Sequence, residues 1–183
     1  MMHAPTPRHD QRERGGAARF AIIALGSNLG DSRENILGAM RRLRAFSDAP
    51  VLQSSIWETT PVDCPPGSPA FANAVAAFEP RADETPESLL ARLQAMEVEF
   101  GRKPKVILNE PRPLDLDLIA FRDETRNSTT LVLPHPRAHL RRFVLAPLAE
   151  IGPDWKLPGQ NQTVVELLSA VPPDPGMRNV ESS

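Results

Sequence analysis

Between residues 20 and 121 the spacing of apolar residues switches back and forth between two periods, and the order of those switches limits the fold more than any other feature. Residues 20 to 25, "FAIIAL", form a short apolar run that ends at Gly26, Asn28 and Gly30, as a buried strand followed by a turn should. Asp31 with Glu34 three residues later makes a capping-box-like start, and Ile36, Leu37, Met40 and Leu43 then fall on one helical face. Residues 51 to 59 and 69 to 78 read as two strands joined by the loop "TPVDCPPGSP". Thr85, with Pro86 at the first helical position, opens a second helix whose Leu89, Leu93, Met96 and Phe100 recur every three or four residues before Gly101 ends it. A fourth strand at residues 114 to 121 completes the order β-α-β-β-α-β, which predicts a ferredoxin-like α+β sandwich of antiparallel sheet and helices.

The remainder adds to that unit. "LPHPRAHLRRFVLAPLAEI", residues 133 to 151, predicts a loop and a third helix, and Thr163 with Glu166 caps a short fourth. We expect one domain over residues 19 to 171, with a disordered lead-in at 1 to 18 and a disordered tail at 172 to 183. Both tails are expected to be too short for another domain. The lead-in lacks the apolar core of a signal peptide, and no apolar run approaches the ~20 residues of a membrane span, so a soluble protein is expected. A single cysteine, Cys64, cannot form an internal disulfide, which predicts the reducing cytoplasm. Twenty-one Lys and Arg against 23 Asp and Glu leave a net charge of −2, which provides no overall field for nucleic acid or anionic lipid.

Charge nonetheless interrupts the fourth strand. In "EPRPLDLDLIAF", residues 110 to 121, Asp115 and Asp117 share one strand face while Leu114, Leu116 and Leu118 share the other. Their carboxylates would stand roughly 6 to 7 Å apart. That pattern fits either a solvated strand face or a cation site. Two carboxylates suit Mg²⁺ that is also held by phosphates and water, rather than a self-sufficient calcium cage. The flanking segments carry Arg102, Lys103, Lys105, Arg112, His135, Arg141 and Arg142, and arginine can clamp phosphate oxygens through two nitrogens. Together they point to a Mg-nucleotide site. "GSNLGD" is neither a Walker A loop nor a dinucleotide fingerprint, and no G-x-S-x-G nucleophile motif is present.

Five blocks in order, "ALGSNLGD", "SSIWETTPV", "FANAV", "PRPLDLDLI" and "LPHPRAHLRRFVLAPLAEI", resemble the 6-hydroxymethyl-7,8-dihydropterin pyrophosphokinase family of folate biosynthesis. The resemblance implies transfer of the β,γ-pyrophosphoryl unit of ATP to the pterin hydroxymethyl group, with release of AMP. It implies two Mg²⁺ ions bridging Asp115, Asp117 and the triphosphate. By the same resemblance Arg102 and Arg112 act as phosphate clamps, His135 and Arg141 hold the triphosphate from the other side, and Gln94 and Glu97 lie on the nucleotide side. Asn73 would read the pterin, Phe71 and Phe143 would sandwich it, and Thr59 and Val62 would line its pocket.

Some positions depart from the family pattern: Asp63 stands where a glycine is common, Pro104 where some relatives have arginine, Asn109 and Glu110 where Trp-Gly is frequent, and Pro136 where some have tyrosine. These departures motivate a second reading, a catalytically silent relative that binds pterin or nucleotide. A third, a ferredoxin-like RNA-binding module, fits poorly with two aspartates on the strand that would face phosphate. The expected partners are ATP and the pterin, with no nucleic acid or membrane, acting on a monomer.

Overall fold

Seven consecutive residues with little side-chain exposure, Ala21–Ser27, form strand β1, which lies inside the sheet with strands paired on both of its edges. The computed structural model describes residues 16 to 61, 64 to 104, 106 to 108 and 110 to 180. Helix α1, Ser32–Leu43, begins where Asp31 accepts a hydrogen bond from the Glu34 amide; Glu34 itself turns outward to pair with Arg41, so only half of the expected capping box forms. Strands β2, Leu52–Gln53, and β3, Trp57–Thr59, precede β4, Phe71–Phe78. Helix α2, Pro86–Glu99, has a complete box between Thr85 and Ser88, an arrangement worth about 1 kcal/mol. It stops at Gly101, whose φ of +93° suits glycine. Strand β5, Asp115–Phe121, follows.

The sheet runs β5-β1-β4-β3 with every pairing antiparallel, the predicted ferredoxin-like arrangement. Its two faces are both covered. Leu25, Ala74, Leu116 and Phe121 pack with α1 and α2 in one buried cluster, while Ile22, Val75, Ile119 and Ala120 pack on the other face with two C-terminal helices. These are α3, Arg142–Ile151, and α4, Val164–Ala170, the latter capped by the predicted Thr163–Glu166 box. Each fully buried Leu, Ile or Phe in these layers contributes roughly 1.5–3 kcal/mol. A small ribbon, β6 (Arg126–Asn127) with β7 (Val132–Leu133), leads into α3. No helix among the described residues is long and apolar enough to cross a membrane.

Four details differ from the sequence expectation. Residues 51 to 59 are not one strand, because Ser54 interrupts them: its hydroxyl, in place of a backbone carbonyl, accepts from the Val75 amide at 2.9 Å, while its own amide donates to the Val75 carbonyl at 2.9 Å. In β5 the register against β1 shifts between Ile22 and Ile23, leaving Ile119 as an extra residue, a bulge that puts Ile119 and Ala120 in the same buried layer. Finally, the tail expected to be disordered from residue 172 contains a strand, β8 (Arg178–Asn179), paired with β3. Backbone pairing and an Arg178–Glu58 ion pair of 2.8 Å hold it there. At the other end, Ala17, within the expected lead-in, is buried against the α3 face.

Candidate active site

The antiparallel registers line up a row of residues across one end of the sheet. Asp115 of β5 faces Gly26 of β1, Gly26 faces Asn73 of β4, and Asn73 faces Trp57 of β3. Asp117, Phe71 and Thr59 lie two positions along their strands and therefore on the same face, the face that carries α3 further along. A Cβ on Gly26 would come within 3.7 Å of the Asn73 Oδ1, 3.8 Å of the Phe71 ring and 3.9 Å of the Asp115 Cβ. The missing side chain leaves a floor between aspartate and asparagine.

Cations converge on the aspartates from three segments. Arg102, just beyond α2, places Nη1 2.8 Å from Asp115 Oδ1 and also pairs with Glu97. Arg112 places Nη2 2.9 Å from Asp115 Oδ2. Arg141, the N-cap of α3, stands 3.9 Å from Asp117 Oδ2. Arg141 also lies 5.4 Å from the centre of the Phe143 ring, and Arg112 lies 5.7 Å from that of Phe71, within reach of cation–π attraction. The Arg112 Nε is buried without a hydrogen-bond partner, a donor left in place beside the carboxylates.

The structure also shows what positions these groups. Glu97 is 7% exposed, and its carboxylate accepts the Leu116 amide on the outer edge of β5 at 2.6 Å. It thus ties α2, Arg102 and the aspartate strand together. Burial is the main cause of a pKa raised from 4.5 to about 6, opposed by the Leu116 amide and by Arg102. Asp117 remains 42% exposed by side-chain area, yet the concave surroundings remove enough hydration to raise its pKa, with Asp115 adding to the rise and Arg141 opposing it. The Ile119 bulge has its own use: the Ile119 carbonyl accepts from the His135 amide at 2.8 Å, which holds the "LPHPR" loop beside β5. His135 is half-buried, and burial, followed by Arg141 and Arg137, lowers its pKa.

On the β4 side Asn73 and Thr59 are each 5% exposed, and the Asn73 Nδ2 donates to Thr59 Oγ1 at 2.8 Å. Phe71 and Phe143 are half-buried. Gln94 lies exposed on α2, one turn before Glu97. Val62 lies outside the described residues. Arg142, grouped with the phosphate cations from sequence, instead donates to the Leu168 and Val171 carbonyls at the end of α4, at 3.3 and 3.2 Å. Sequence reading also passed over Asn28. This residue, 1% exposed, accepts from the Arg112 amide at 2.9 Å, donates its own amide to the Arg112 carbonyl at 3.1 Å and reaches the Pro69 carbonyl at 3.5 Å. Its only signal was a place in "GSNLGD", which alone says turn.

A paired carboxylate ringed by arginines, beside a buried amide and two aromatic rings, has the chemistry to take a polyphosphate and a flat polar heterocycle. Comparison with known proteins agrees. The family model of 7,8-dihydro-6-hydroxymethylpterin-pyrophosphokinase matches residues 22–153. A Synechocystis 2-amino-4-hydroxy-6-hydroxymethyldihydropteridine pyrophosphokinase is 37% identical over 153 residues, covering 82% of this chain and 75% of the relative. The Pseudomonas aeruginosa protein of the same description is 39% identical over 154 residues, covering 82% of this chain and 90% of that one. A crystal structure of HPPK-DHPS in complex with substrates superposes with a TM-score of 0.63 at 12% identity; the match takes in 82% of this chain but 43% of that larger one, so it speaks to fold alone. With the family model covering most of the sheet and every strand of the site, the chain belongs to the 7,8-dihydro-6-hydroxymethylpterin-pyrophosphokinase family.

Proposed function

We propose that the protein transfers the β,γ-pyrophosphoryl unit of ATP to the hydroxymethyl group of 6-hydroxymethyl-7,8-dihydropterin, forming the pterin diphosphate and AMP in tetrahydrofolate biosynthesis. The observation that carries this reading is the Asp115–Asp117 pair on one strand face, met by Arg102, Arg112 and Arg141 from three separate segments. The hydroxymethyl oxygen bonds to the β-phosphorus as the bond from that phosphorus to the α,β-bridging oxygen breaks. The hydroxyl proton is lost and AMP departs. Little covalent chemistry falls to the protein in such a transfer; positioning and charge stabilisation dominate.

Each group of residues has a share in that work. Arg102 and Arg112 exchange Asp115 for triphosphate oxygens, and the buried Arg112 Nε supplies a further donor. His135 offers a ring nitrogen to the phosphates, while Arg141 holds them from the α3 side. Gln94 and Glu97 border the nucleotide. Asn73, its amide oriented by Thr59, reads the pterin amide edge, and Phe71 and Phe143 enclose the ring. Val62 contributes to the same pocket.

The donor set fits Mg²⁺. Asp115 and Asp117 offer hard oxygens on one face, and among the described residues no group of three His, Cys, Asp or Glu side chains could cage an ion alone, which suits a cation that keeps water and phosphate ligands. Asp115 and Asp117 would hold Mg²⁺, proposed as a pair of ions, which when bound would supply charge neutralisation at the transferring phosphates. A monomer acting in the cytoplasm completes the proposal. The test is nucleotide analysis with Mg²⁺, with and without the pterin. Pterin-dependent AMP without ADP supports the reading; no nucleotide turnover, or ADP as product, overturns it.

A further inference from the structure

We propose that the C-terminal segment 174 to 180 is a strap that sets the proposed pterin subsite, with Gly176 as its positioning residue. This inference rests on the assignment of Thr59 and Asn73 to the pterin. The observations concern how β3 is held. On one edge β3 pairs with β4, Trp57 facing Asn73 and Thr59 facing Phe71. On its other edge it pairs with β8, Trp57 facing Asn179 and Glu58 facing Arg178. The Val180 amide adds a bond to the Ile56 carbonyl at 2.9 Å. Asn179 Nδ2 donates to Ser55 Oγ at 2.7 Å and to Glu150 Oε1 at 3.2 Å, and that same Glu150 oxygen accepts the Trp57 indole N–H at 2.7 Å.

The strap therefore grips β3 and anchors it to α3. Its first half borders a hollow of about 330 Å³, which Pro173, Asp174 and Met177 line together with Trp57, Ala146 and Leu168, while Val180 at its end packs against the core cluster of α1 and α2. Its hold comes from strand pairing and polar contacts, with Val180 the apolar anchor at its end. Just before β8, Gly176 lies against Thr60, the neighbour of Thr59: a Cβ at position 176 would stand 2.6 Å from Thr60 Cγ2 and 3.2 Å from its Oγ1. The Gly176 φ is not in the left-handed region, so a side chain there acts by displacing Thr60, not by straining its own backbone. Displacing Thr60 shifts Thr59, and the Thr59 hydroxyl is the acceptor that orients the Asn73 amide. A segment more than one hundred residues away in sequence, by the count from Asn73 to Gly176, thus presets how the amide meets its substrate.

The experiment compares Gly176→Ala with the double variant Gly176→Ala/Thr60→Ser, which removes the methyl that the new Cβ would strike. Steady-state kinetics and calorimetry read each substrate separately. A misplaced amide should raise KM and Kd for the pterin about tenfold, with kcat and the constants for Mg-ATP within twofold and the melting temperature nearly unchanged. The double variant should restore pterin affinity. Unchanged pterin binding in Gly176→Ala, an equal loss for both substrates, or no rescue would each overturn the proposal. If wild-type protein makes no AMP, the pyrophosphokinase reading fails on its own. The strap is then judged by amide hydrogen exchange, where Gly176→Ala should accelerate exchange at residues 57 to 59 with restoration in the double variant, and unaltered exchange would refute it.

Discussion

Replacing Glu97 by glutamine should make the free protein more stable and a poorer enzyme. The carboxylate is buried, bonded to the Leu116 amide at 2.6 Å and paired with Arg102, and its pKa is raised from 4.5 to about 6. Between those values the folded protein keeps a proton that the unfolded chain has lost. Stability from this group is therefore fully present below about 4.5 and is lost as pH rises through about 6. At ~1.4 kcal/mol per pH unit the loss is about 2 kcal/mol. Glutamine retains an oxygen for the Leu116 amide and carries no charge at any pH. Urea unfolding without Mg²⁺ or ATP should then show Glu97→Gln close to wild type near pH 4.5 and more stable by about 2 kcal/mol at pH 8. Arg102, released from one charged partner, should be less well placed, with kcat/KM for ATP reduced about tenfold. A stability difference that does not vary with pH, or a variant less stable than wild type at pH 8, would refute the argument that burial outweighs the two favourable contacts.

Two further substitutions separate the two halves of the site. Asp117→Ala should reduce turnover by about a thousandfold or more while far-UV circular dichroism and the unfolding midpoint stay near wild type, since the side chain is half-exposed and its ion pair with Arg141 is long, at 3.9 Å; near-normal turnover would remove Asp117 from the proposed metal site. Asn73→Ala should raise KM for the pterin by roughly 10- to 100-fold, the cost of leaving Thr59 and the ligand edge short of a partner. Equal effects on ATP and pterin in steady-state kinetics would contradict that assignment.

The sheet order and the aspartate face were legible in the sequence because both depend on local periodicity. Leu114, Leu116 and Leu118 had to be buried, which left Asp115 and Asp117 on the opposite face, and Thr85 and Thr163 announced their helices through caps only a few residues long. What periodicity could not show is polar contact between distant segments. Nothing about the sequence near residue 97 indicates that its carboxylate would close the outer edge of β5, and the bulge at Ile119 is invisible in "DLDLIAF" because Ile and Ala suit either face. Ser54 broke a strand by offering a hydroxyl in place of a carbonyl, an exchange that composition does not register. The C-terminal strand was missed for a similar reason: its two residues, Arg178 and Asn179, are polar, and their pairing comes from an available edge on β3 rather than from any apolar pattern.

Asn28 carries a consequence for how such a site can change. Its amide holds the Arg112 backbone, on the phosphate side, and reaches the Pro69 carbonyl, two residues before Phe71 on the heterocycle side. Both halves of the proposed site are thus touched by one buried side chain at the end of β1. Rebuilding the Pro69 loop for a different ring would disturb the backbone of Arg112, the arginine proposed for the phosphates, through Asn28. Selection on the nucleotide side is inherited by the ring side, and variation should be channelled instead into the outer loops that Asn28 does not touch.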